Sequence, residues 1–428
     1  MAKHFKSNNQ EQNLNVWMKK NKIIKSEDIG NIDLISKKLK LDSNIKSFTE
    51  KNRYYHEGQP KIFEPINKEI DPNKPVAVEL FSGLGGTSMG FEMSGFQTIL
   101  GVDIHSPSIE TFRRSHPAAT AILGDITKLV KLESDNSKNL ISQELKKRIG
   151  DQGPDVLIAG IPCQGFSRSN KKRNHLDARN YLFLYFVEMV KTLKPKTIMI
   201  ENVSGLKTLK NGEFVKHIIK ALEEIGYSTH YKMLNAADYG VPQRRNRLIF
   251  LGSRIKEKIP FPKPKYSWNN HLTVNDAISD LPSLSNKESS ENYKCEPKNE
   301  FQKLMRGNQQ ILFDHLAPSH PDEVVNRIKA TEPGQPMYPK FKQRIRLSWN
   351  MPSPTQVSGG IRPQFQFGHP EDARGLSIRE RCRTQSIPDH VKIFGGTVQG
   401  RVQTGNAVPP LLAKSISEEI LKHLQKVH

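Results

Sequence analysis

The chain has 428 residues and a formal net charge of +21 at pH 7, because 65 lysines and arginines outnumber 44 aspartates and glutamates. This excess of cations favours a nucleic-acid partner over the alternatives of an anionic membrane surface or a merely basic soluble protein, and no apolar run approaches the roughly 20 residues of a spanning helix. The three cysteines, Cys163, Cys295 and Cys382, lie far apart, which excludes a disulfide framework or a zinc-binding spacing, and we expect no metal site.

The first 72 residues are rich in lysine, asparagine and serine, with weak periodicity at 34–41. We interpret residues 1–72 as a basic N-terminal extension that forms one or two short helices or a mobile arm. The first residues lack the apolar core of a secretory signal, so we expect a cytoplasmic protein with no membrane association.

From Val76 onwards, short apolar runs alternate with amphipathic segments. The strand-like runs are VAVELF, TILGVDI, DVLIAG, TIMIEN and RLIFLGS, and a helical pattern follows each of the first four. Alternating strands and helices imply right-handed crossovers. Residues 73–254 are therefore predicted to form an α/β domain, a doubly wound and mostly parallel sheet covered on both faces.

The first predicted strand ends in FSGLGG, which places Gly83, Gly85 and Gly86 at a strand-to-helix turn. Glycines at this edge of a parallel sheet let a ligand lie against the backbone, although a tight turn without a ligand is the alternative. Asp103 ends the second strand, 20 residues after Gly83, where a carboxylate can bind ribose hydroxyls. Asp125 follows a third apolar stretch and could meet an adenine amino group. The pattern predicts an adenine nucleoside rather than a P-loop ligand or a dinucleotide.

DVLIAG continues into IPCQGFS, which places Cys163 in a loop beyond the strand end. A lone cysteine is most often a buried apolar side chain, but Pro162, Gly165 and Ser167 flank this one. A thiolate there would be a strong nucleophile. Glu201 ends the next strand, where it could protonate the group that the thiol attacks or simply cap a turn.

The cluster QRRNR stands directly before the last predicted strand, RLIFLGS. Arg245 and Arg247 alternate in it, so they would point to one side and could hold a carbonyl, a carboxylate or a phosphate. The alternative is a solvated basic turn.

Beyond Ser253 the regular pattern breaks. We predict a smaller, loop-rich domain over residues 255–395, in which Ser377 and Glu380 have the spacing of a helix capping box. Residues 396–428 form a C-terminal segment that ends in an amphipathic helix with proline in its first turn.

Seven segments, in this order, resemble motifs of the DNA cytosine-5 methyltransferase family, of the bacterial restriction–modification type. They are FSGLGG, GDI, PCQGFS, ENV, QRRNR, RGLSIRERCRTQ and QTGNAVPP, and the match runs from Val76 to about Leu421. Their order carries the resemblance, because each motif alone is weak. The small departures touch no residue with a chemical role: Ser82, Cys382, Thr384 and Thr404.

The resemblance implies that S-adenosylmethionine binds at the glycine turn without a metal and leaves as S-adenosylhomocysteine. It also implies that the C-terminal helix returns to pack beside the first strand. The residues implied to line the cofactor are Phe81, Gly83, Leu84, Gly85, Gly86, Asp103, Ile104, Asp125, Ile126, Pro162, Asn406 and Val408.

The family chemistry implies that the Cys163 thiolate adds to carbon 6 of a cytosine, which makes carbon 5 nucleophilic. Glu201 would bind or protonate ring nitrogen 3 and Arg245 would steady the base carbonyl, with Arg247 as the remaining member of the catalytic set. The base must flip out of the duplex, and residues 255–395 would recognise the target. The residues implied to contact DNA are Ser167, Arg168, Lys171, Lys172, Arg173 and Gln243.

Three alternatives stay open at this point. A tRNA cytosine-5 methyltransferase has the same fold, but such relatives carry Cys-Phe-Thr in the irregular insert between QRRNR and RGLSIRERCRTQ. Here this insert, residues 255 to about 370, contains only Cys295. A nicotinamide oxidoreductase leaves Cys163 and Glu201 unexplained, and a non-catalytic relative would not need Cys163, Glu201 and Arg245. We expect a monomer on double-stranded DNA, associated through DNA with a bacterial nucleoid, and a cognate restriction endonuclease as a potential companion.

Overall fold

The computed structural model describes residues 54–132, 135–162, 182–208, 212–255, 257–358 and 366–426. Six predicted site residues therefore lie outside the described residues: Cys163, Ser167, Arg168, Lys171, Lys172 and Arg173. Most of the predicted N-terminal extension lies outside them as well.

An eight-stranded sheet has the order β1-β4-β3-β2-β5-β6-β9-β7. Its central strands β4, β3, β2, β5 and β6 are parallel, whereas β1 and β9 run antiparallel to their neighbours. The doubly wound, mostly parallel α/β sheet is confirmed. The strands are β1 Lys61–Phe63, β2 Val76–Leu80, β3 Gln97–Asp103, β4 Thr120–Leu123, β5 Val156–Gly160, β6 Thr197–Val203, β7 Ser228–Asn235 and β9 Asn246–Ser253.

Sequence analysis missed β7, the edge strand beyond β9. Its residues read STHYKMLN, and only two of the eight are buried. An edge strand with two partly solvated faces lacks the apolar run by which the other strands were identified.

Helices cover both faces of the sheet. One apolar cluster joins alternate strand residues, such as Leu80 and Leu157, to helices α3, α4, α5 and α7. A second cluster joins the intervening residues, such as Ala77 and Ile158, to Phe91 of helix α1. No helix within the described ranges combines the length and the apolar character that a bilayer crossing requires. The helices of this part are α1 Gly86–Glu92, α2 Ser106–Ser115, α3 Ile126–Leu129, α4 Leu140–Ile149, α5 Phe183–Leu193, α6 Gly205–Thr208 and α7 Glu213–Glu223.

The last helix of the chain returns to the first strand of the parallel sheet, as predicted. Leu412 and Ile416 of this helix pack in one cluster with Ala77 of β2. The approach is so close that a Cβ atom on Gly90 of α1 would lie 2.4 Å from the carbonyl oxygen of Pro410. The helices of the C-terminal segment are α12 Gly396–Asn406 and α13 Pro410–Gln425, and α13 begins with the predicted proline.

The residues after β9 form the predicted loop-rich region, with short helices and two-residue strands around its own apolar cluster. One of these strands, β11, pairs with the short strand β8 that precedes β9. The elements are β8 Gln243–Arg244, α8 Val274–Ile278, α9 Glu300–Arg306, α10 Asp322–Ala330, β10 Ile345–Arg346, β11 Ser353–Pro354, β12 Phe367–Gly368 and α11 Ile378–Thr384.

The predicted domain boundary at residue 395 does not follow the packing. Ile378, Cys382 and Ile387 lie in one apolar cluster with Leu84 and Met89, which belong to the glycine turn and α1. Helix α11 therefore packs on the large domain as well as on the insert. The loop-like composition of the residues before α11 did not predict its contact with the large domain.

Arginines anchor α11 to the insert and to the segments that flank the helix. The Nη2 atom of Arg383 lies 3.1 Å from Asp280 of the insert and 2.6 Å from Asp389, and all three side chains are fully buried. The predicted capping box is confirmed, and Glu380 pairs with Arg374 at 2.7 Å. Paired buried charges of this kind fix one arrangement, because any other leaves a carboxylate unpaired.

We predict that Arg383→Leu lowers the free energy of unfolding by about 3–5 kcal/mol, because it leaves Asp280 buried without its cation and leaves Asp389 with Arg379 as its remaining cation. The control is Arg327→Leu, which breaks a surface pair with Glu323 and should cost less than about 1 kcal/mol. Urea unfolding followed by circular dichroism measures both. Equal losses would contradict a structural role for the buried cluster.

Candidate functional site

The carboxyl ends of the parallel strands meet at one edge of the sheet, and the predicted site residues follow those ends. The chain winds outward in both directions from the neighbouring strands β2 and β5. A crevice forms at such a switch point, where ligands bind in open α/β sheets. The turn after β2 and the segment after β5 are the FSGLGG and IPCQGFS motifs.

The glycine turn is tied to β3 through Asp103. Its Oδ2 atom accepts the Gly83 N–H at 2.7 Å, and its Oδ1 atom accepts the His105 N–H at 2.8 Å. Burial raises the pKa of Asp103, although these amides and the neighbouring His105 favour the carboxylate. The two amides leave further lone pairs on both oxygens, so Asp103 can also accept hydrogen bonds from a ligand.

The surroundings of the three glycines differ, so a side chain would have a different effect at each position. A Cβ atom on Gly83, where φ is +55°, would meet nothing within 4 Å. On Gly85 it would lie 2.2 Å from Nε2 of His116, and on Gly86 it would lie 2.4 Å from the Val408 carbonyl oxygen. Of the three, only Gly83 opens onto free space. The absent side chains of Gly85 and Gly86 make room for the protein's own chain, so these two residues can meet a ligand only through their backbone.

The other predicted cofactor residues surround this turn. Asp125 caps α3 by accepting the backbone and hydroxyl hydrogens of Thr127 at 2.9 Å. Leu84 differs from the prediction, since its side chain is buried in the apolar cluster with Met89 and only its backbone can face a ligand. The remaining predicted residues lie beside the ends of β2, β3, β4, β5 and α12: Phe81, Ile104, Ile126, Pro162, Asn406 and Val408.

Glu201 and Arg247 form a buried ion pair across β6 and β9. The Oε1 atom of Glu201 lies 2.5 Å from Nε of Arg247. A Cβ atom on Gly160, the last residue of β5, would lie 4.0 Å from the Oε2 atom of Glu201. Burial lowers the pKa of Arg247, although Glu201 opposes this shift. The carboxylate is thus held by one oxygen, and its other oxygen is directed towards the end of β5.

Arg245 has a different position from the one predicted. Its guanidinium is fully buried and donates to the carbonyl oxygens of Gln356, Gly405 and Ala407 at 3.0, 2.8 and 2.9 Å. Burial, with the charge of Arg247 nearby, lowers the pKa of Arg245 well below its ordinary value. Because its end nitrogens bind backbone carbonyls, Arg245 joins chain segments in this structure, and its predicted contact with a base stays a prediction.

Gln243 also contacts the protein's own chain. The residue is fully buried, and its Oε1 atom accepts the Gln356 N–H at 3.3 Å. It lies in β8, which pairs with β11. The side chain is enclosed between these strands in the structure without DNA, so its predicted contact with DNA stays a prediction that would require these strands to move.

Two buried ionisable residues beneath the glycine turn were missed by sequence analysis. Glu79 lies in β2 and binds both the backbone N–H and the hydroxyl of Ser88; burial raises its pKa to about 7, although these bonds and His116 oppose the shift. His116 lies at the end of α2, against Gly85. The acidic residue within the apolar run VAVEL was the available signal for Glu79.

Comparisons with known proteins agree with this arrangement. Residues 76–422 match the family model described as C-5 cytosine-specific DNA methylase. The Type II methyltransferase M1.HphI of Haemophilus parahaemolyticus is 34% identical over 357 residues, which cover 81% of this chain and 86% of that protein. The Type II methyltransferase M.DdeI of Desulfomicrobium norvegicum is 33% identical, over 82% of this chain and 89% of that protein.

Solved structures share the fold. An E. coli protein encoded within prophage Cp, described as a DNA modification methyltransferase, matches with a TM-score of 0.68 and 24% identity, over 82% of this chain and all of that chain. The Dnmt2 methyltransferase of S. pombe matches with a TM-score of 0.52 and 16% identity, over 82% and 99% of the two chains. At these identities the likeness concerns the fold alone.

The different surroundings of Gly83 and Gly86 give a testable contrast. We predict that Gly83→Ala lowers the unfolding free energy by only about 1 kcal/mol, the strain of its positive φ, but weakens S-adenosylhomocysteine binding at least about tenfold because the methyl group enters ligand space. Gly86→Ala should cost about 2–3 kcal/mol, because the Val408 backbone must move. Calorimetry and urea unfolding measure the two effects. Unchanged affinity in Gly83→Ala would show that no ligand occupies that space.

Proposed function

This chain belongs to the family of C-5 cytosine-specific DNA methylases, and on that premise we propose that it transfers a methyl group from S-adenosylmethionine to carbon 5 of a flipped-out cytosine. The target would be a cytosine within a specific short sequence of double-stranded DNA. The observation that carries this proposal is the buried Glu201–Arg247 pair, which stands at the sheet edge that also holds the open space at Gly83.

The residues present fit S-adenosylmethionine. The space beside Gly83 can take the ligand against backbone, and Asp103 offers lone pairs to ribose hydroxyls. Asp125 and Ile126 would meet the adenine, and Val408 would close the pocket. When bound, the cofactor supplies an electrophilic methyl group.

Chain connectivity supports Cys163 as the nucleophile. Gly160 and Glu201 are register partners on the parallel strands β5 and β6, and neighbouring strands are about 4.8 Å apart. Cys163 follows Gly160, the last residue of β5, by three residues. Consecutive Cα atoms are about 3.8 Å apart, so the chain length keeps Cys163 near the end of this strand. The thiol and the Glu201 carboxyl can therefore approach one base from adjacent strands.

In the proposed reaction the Cys163 thiolate adds to carbon 6 of the cytosine. Glu201 hydrogen-bonds or protonates ring nitrogen 3, which removes the charge that develops there and leaves carbon 5 as the nucleophile. After carbon 5 gains the methyl group, water takes the proton from that carbon and the thiolate leaves carbon 6. The base then carries one methyl group in place of one hydrogen.

We assign to Arg247 the base-contacting role that sequence analysis gave to Arg245. Arg247 holds one oxygen of Glu201 at 2.5 Å, which orients the other oxygen for the base. Its guanidinium pairs with the carboxyl that is proposed to meet the base, so it can steady the base carbonyl as well.

We propose that duplex DNA meets the chain between the large domain and the insert. The net charge of +21 suits phosphate contacts, and the predicted contacts at Ser167, Arg168, Lys171, Lys172 and Arg173 belong to this proposal. A DNA target is favoured over tRNA because the matching family acts on DNA. A monomer in a bacterial cytoplasm, associated with the nucleoid through DNA and accompanied by a restriction endonuclease of the same specificity, completes the proposal.

The experiment that tests the function uses duplex DNA in which 5-fluorocytosine replaces cytosine throughout, so no knowledge of the target is needed. Fluorine cannot leave carbon 5 as a cation, so after methyl transfer the protein should remain covalently bound to DNA on a denaturing gel. Adduct formation should require S-adenosylmethionine, and Glu201→Gln should slow it.

Cys163→Ala should abolish the adduct, because no thiolate can then add to carbon 6. The matched control is Cys295→Ala in the insert, which should form it normally. A normal adduct from Cys163→Ala, or none from a wild-type chain that methylates ordinary DNA, would contradict the assignment.

Substitutions of Arg247 and Arg245 should have different effects. We predict that Arg247→Gln slows single-turnover methylation by the folded chain by about a hundredfold or more, the usual loss when one transition-state donor is removed. It should also cost a few kcal/mol of stability, because Glu201 is left buried without its cation. Arg245→Gln should lower the free energy of unfolding by roughly 2 kcal/mol, because buried carbonyls lose their donor, but should leave the single-turnover rate of the folded chain within about tenfold of the wild type. Rapid-quench kinetics and urea unfolding separate the two outcomes, and an exchange of the two phenotypes would reverse the assignment.

A further inference from the structure

His116 is a buried side chain for which the proposed reaction has no use. It follows α2, and only 1% of its surface is exposed. Its ring packs against Phe112, with ring centroids 4.6 Å apart. The ring edge faces the glycine turn so closely that Gly85 cannot carry a side chain.

Both ring nitrogens of His116 meet a hydrogen-bond acceptor. Nδ1 lies 2.8 Å from the Oε1 atom of Glu92, at the end of α1, and Nε2 lies 3.2 Å from the carbonyl oxygen of Gly85. A neutral imidazole carries one N–H and can satisfy only one of these acceptors, whereas the imidazolium carries two. The contacts therefore select the protonated ring.

We propose that His116 is a positioning residue for the cofactor turn: as an imidazolium it bridges Glu92 and the Gly85 carbonyl, and so holds the turn in the shape that keeps Gly83 open to the cofactor. This inference rests on the proposed binding of S-adenosylmethionine at Gly83. When the ring loses its proton, Nδ1 keeps the hydrogen for the carboxylate. A lone pair on Nε2 then faces the Gly85 carbonyl oxygen, and the turn loses its hydrogen bond to α2 while it keeps the bond from the Gly83 amide to Asp103.

The surrounding charges favour the imidazolium. Burial alone would lower the pKa of His116, but Glu92, through its charge and its hydrogen bond, outweighs this with help from Glu79 and raises the pKa above its ordinary value. The other titratable group that faces His116 is His390, whose pKa is lowered, first by burial.

The sign of the pH dependence follows from the raised pKa. A group with a folded-state pKa above its unfolded value contributes fully below the unfolded pKa, about 6.5 for histidine, and its contribution is lost as the pH rises through the folded-state pKa. Cofactor affinity should therefore fall as the pH rises above about 6.5. Glu79, with a pKa near 7, titrates in the same window and needs its own variant.

The test is calorimetric titration of the full chain with S-adenosylhomocysteine between about pH 5.5 and 8.5, a range centred near the histidine pKa. The wild-type affinity should fall about tenfold as the pH rises through the pKa of His116, as expected for the loss of one charged hydrogen bond. We call this fall the pH step. His116→Gln should bind about tenfold more weakly at low pH and show no step, because the amide does not titrate. Glu92→Gln should move the step to lower pH, because it removes the main cause of the raised pKa.

The controls identify the group that titrates. Glu79→Gln should keep a step that depends on His116, and His230→Gln, which changes a histidine on the edge strand β7, should reproduce the wild-type profile. A step that persists in His116→Gln, or that stays at the same pH in Glu92→Gln, overturns the inference. Should His116→Gln fail to fold, the Glu92→Gln midpoint decides alone. Absence of wild-type binding at every pH would overturn the proposed function and this inference together.

Discussion

The buried guanidinium of Arg245 is the contact on which the assembly of the site depends. It binds three carbonyl oxygens, one from the insert and two from the C-terminal segment. No carboxylate contacts it among the described residues, so backbone dipoles, helped by the more distant charge of Glu201, stabilise a charge that burial disfavours. One side chain thereby joins the start of β9, the insert and the segment that carries Val408 to the glycine turn. If this contact were lost, these segments would lose the hydrogen bonds that join them.

The glycine turn is fixed from three directions. Asp103 holds the Gly83 amide from β3, His116 holds the Gly85 carbonyl from the end of α2, and the Val408 carbonyl packs against Gly86. Each contact comes from a different segment, and together they leave free space beside Gly83 alone. This explains why a turn that reads as a flexible glycine stretch can present one defined surface to a ligand.

Buried charge is concentrated at the junctions between the parts of the molecule. Arg383 connects α11 to the insert through Asp280, while Glu201 and Arg247 connect two strands of the sheet at the proposed reaction site. Such pairs contribute little net stability, since desolvation offsets their attraction, but they penalise every other arrangement by leaving a charge unpaired. The same effect fixes the position of α11 and the orientation of the Glu201 carboxylate.

The sequence by itself determined the alternating strands and helices, the glycine turn, the capping box at Ser377 and the order of motifs, because each is encoded by residues close together in the chain. The edge strand β7 escaped prediction because its partly solvated residues carry no apolar period. Only the tertiary structure decided that Arg247, and not Arg245, pairs with Glu201, since the partners of Arg245 lie 111 to 162 residues away. It likewise decided that Gly83 alone faces free space, because the atoms that exclude a side chain at Gly85 and Gly86 belong to His116 and Val408. Local periodicity records which residues are buried, but it does not record which distant segment buries them.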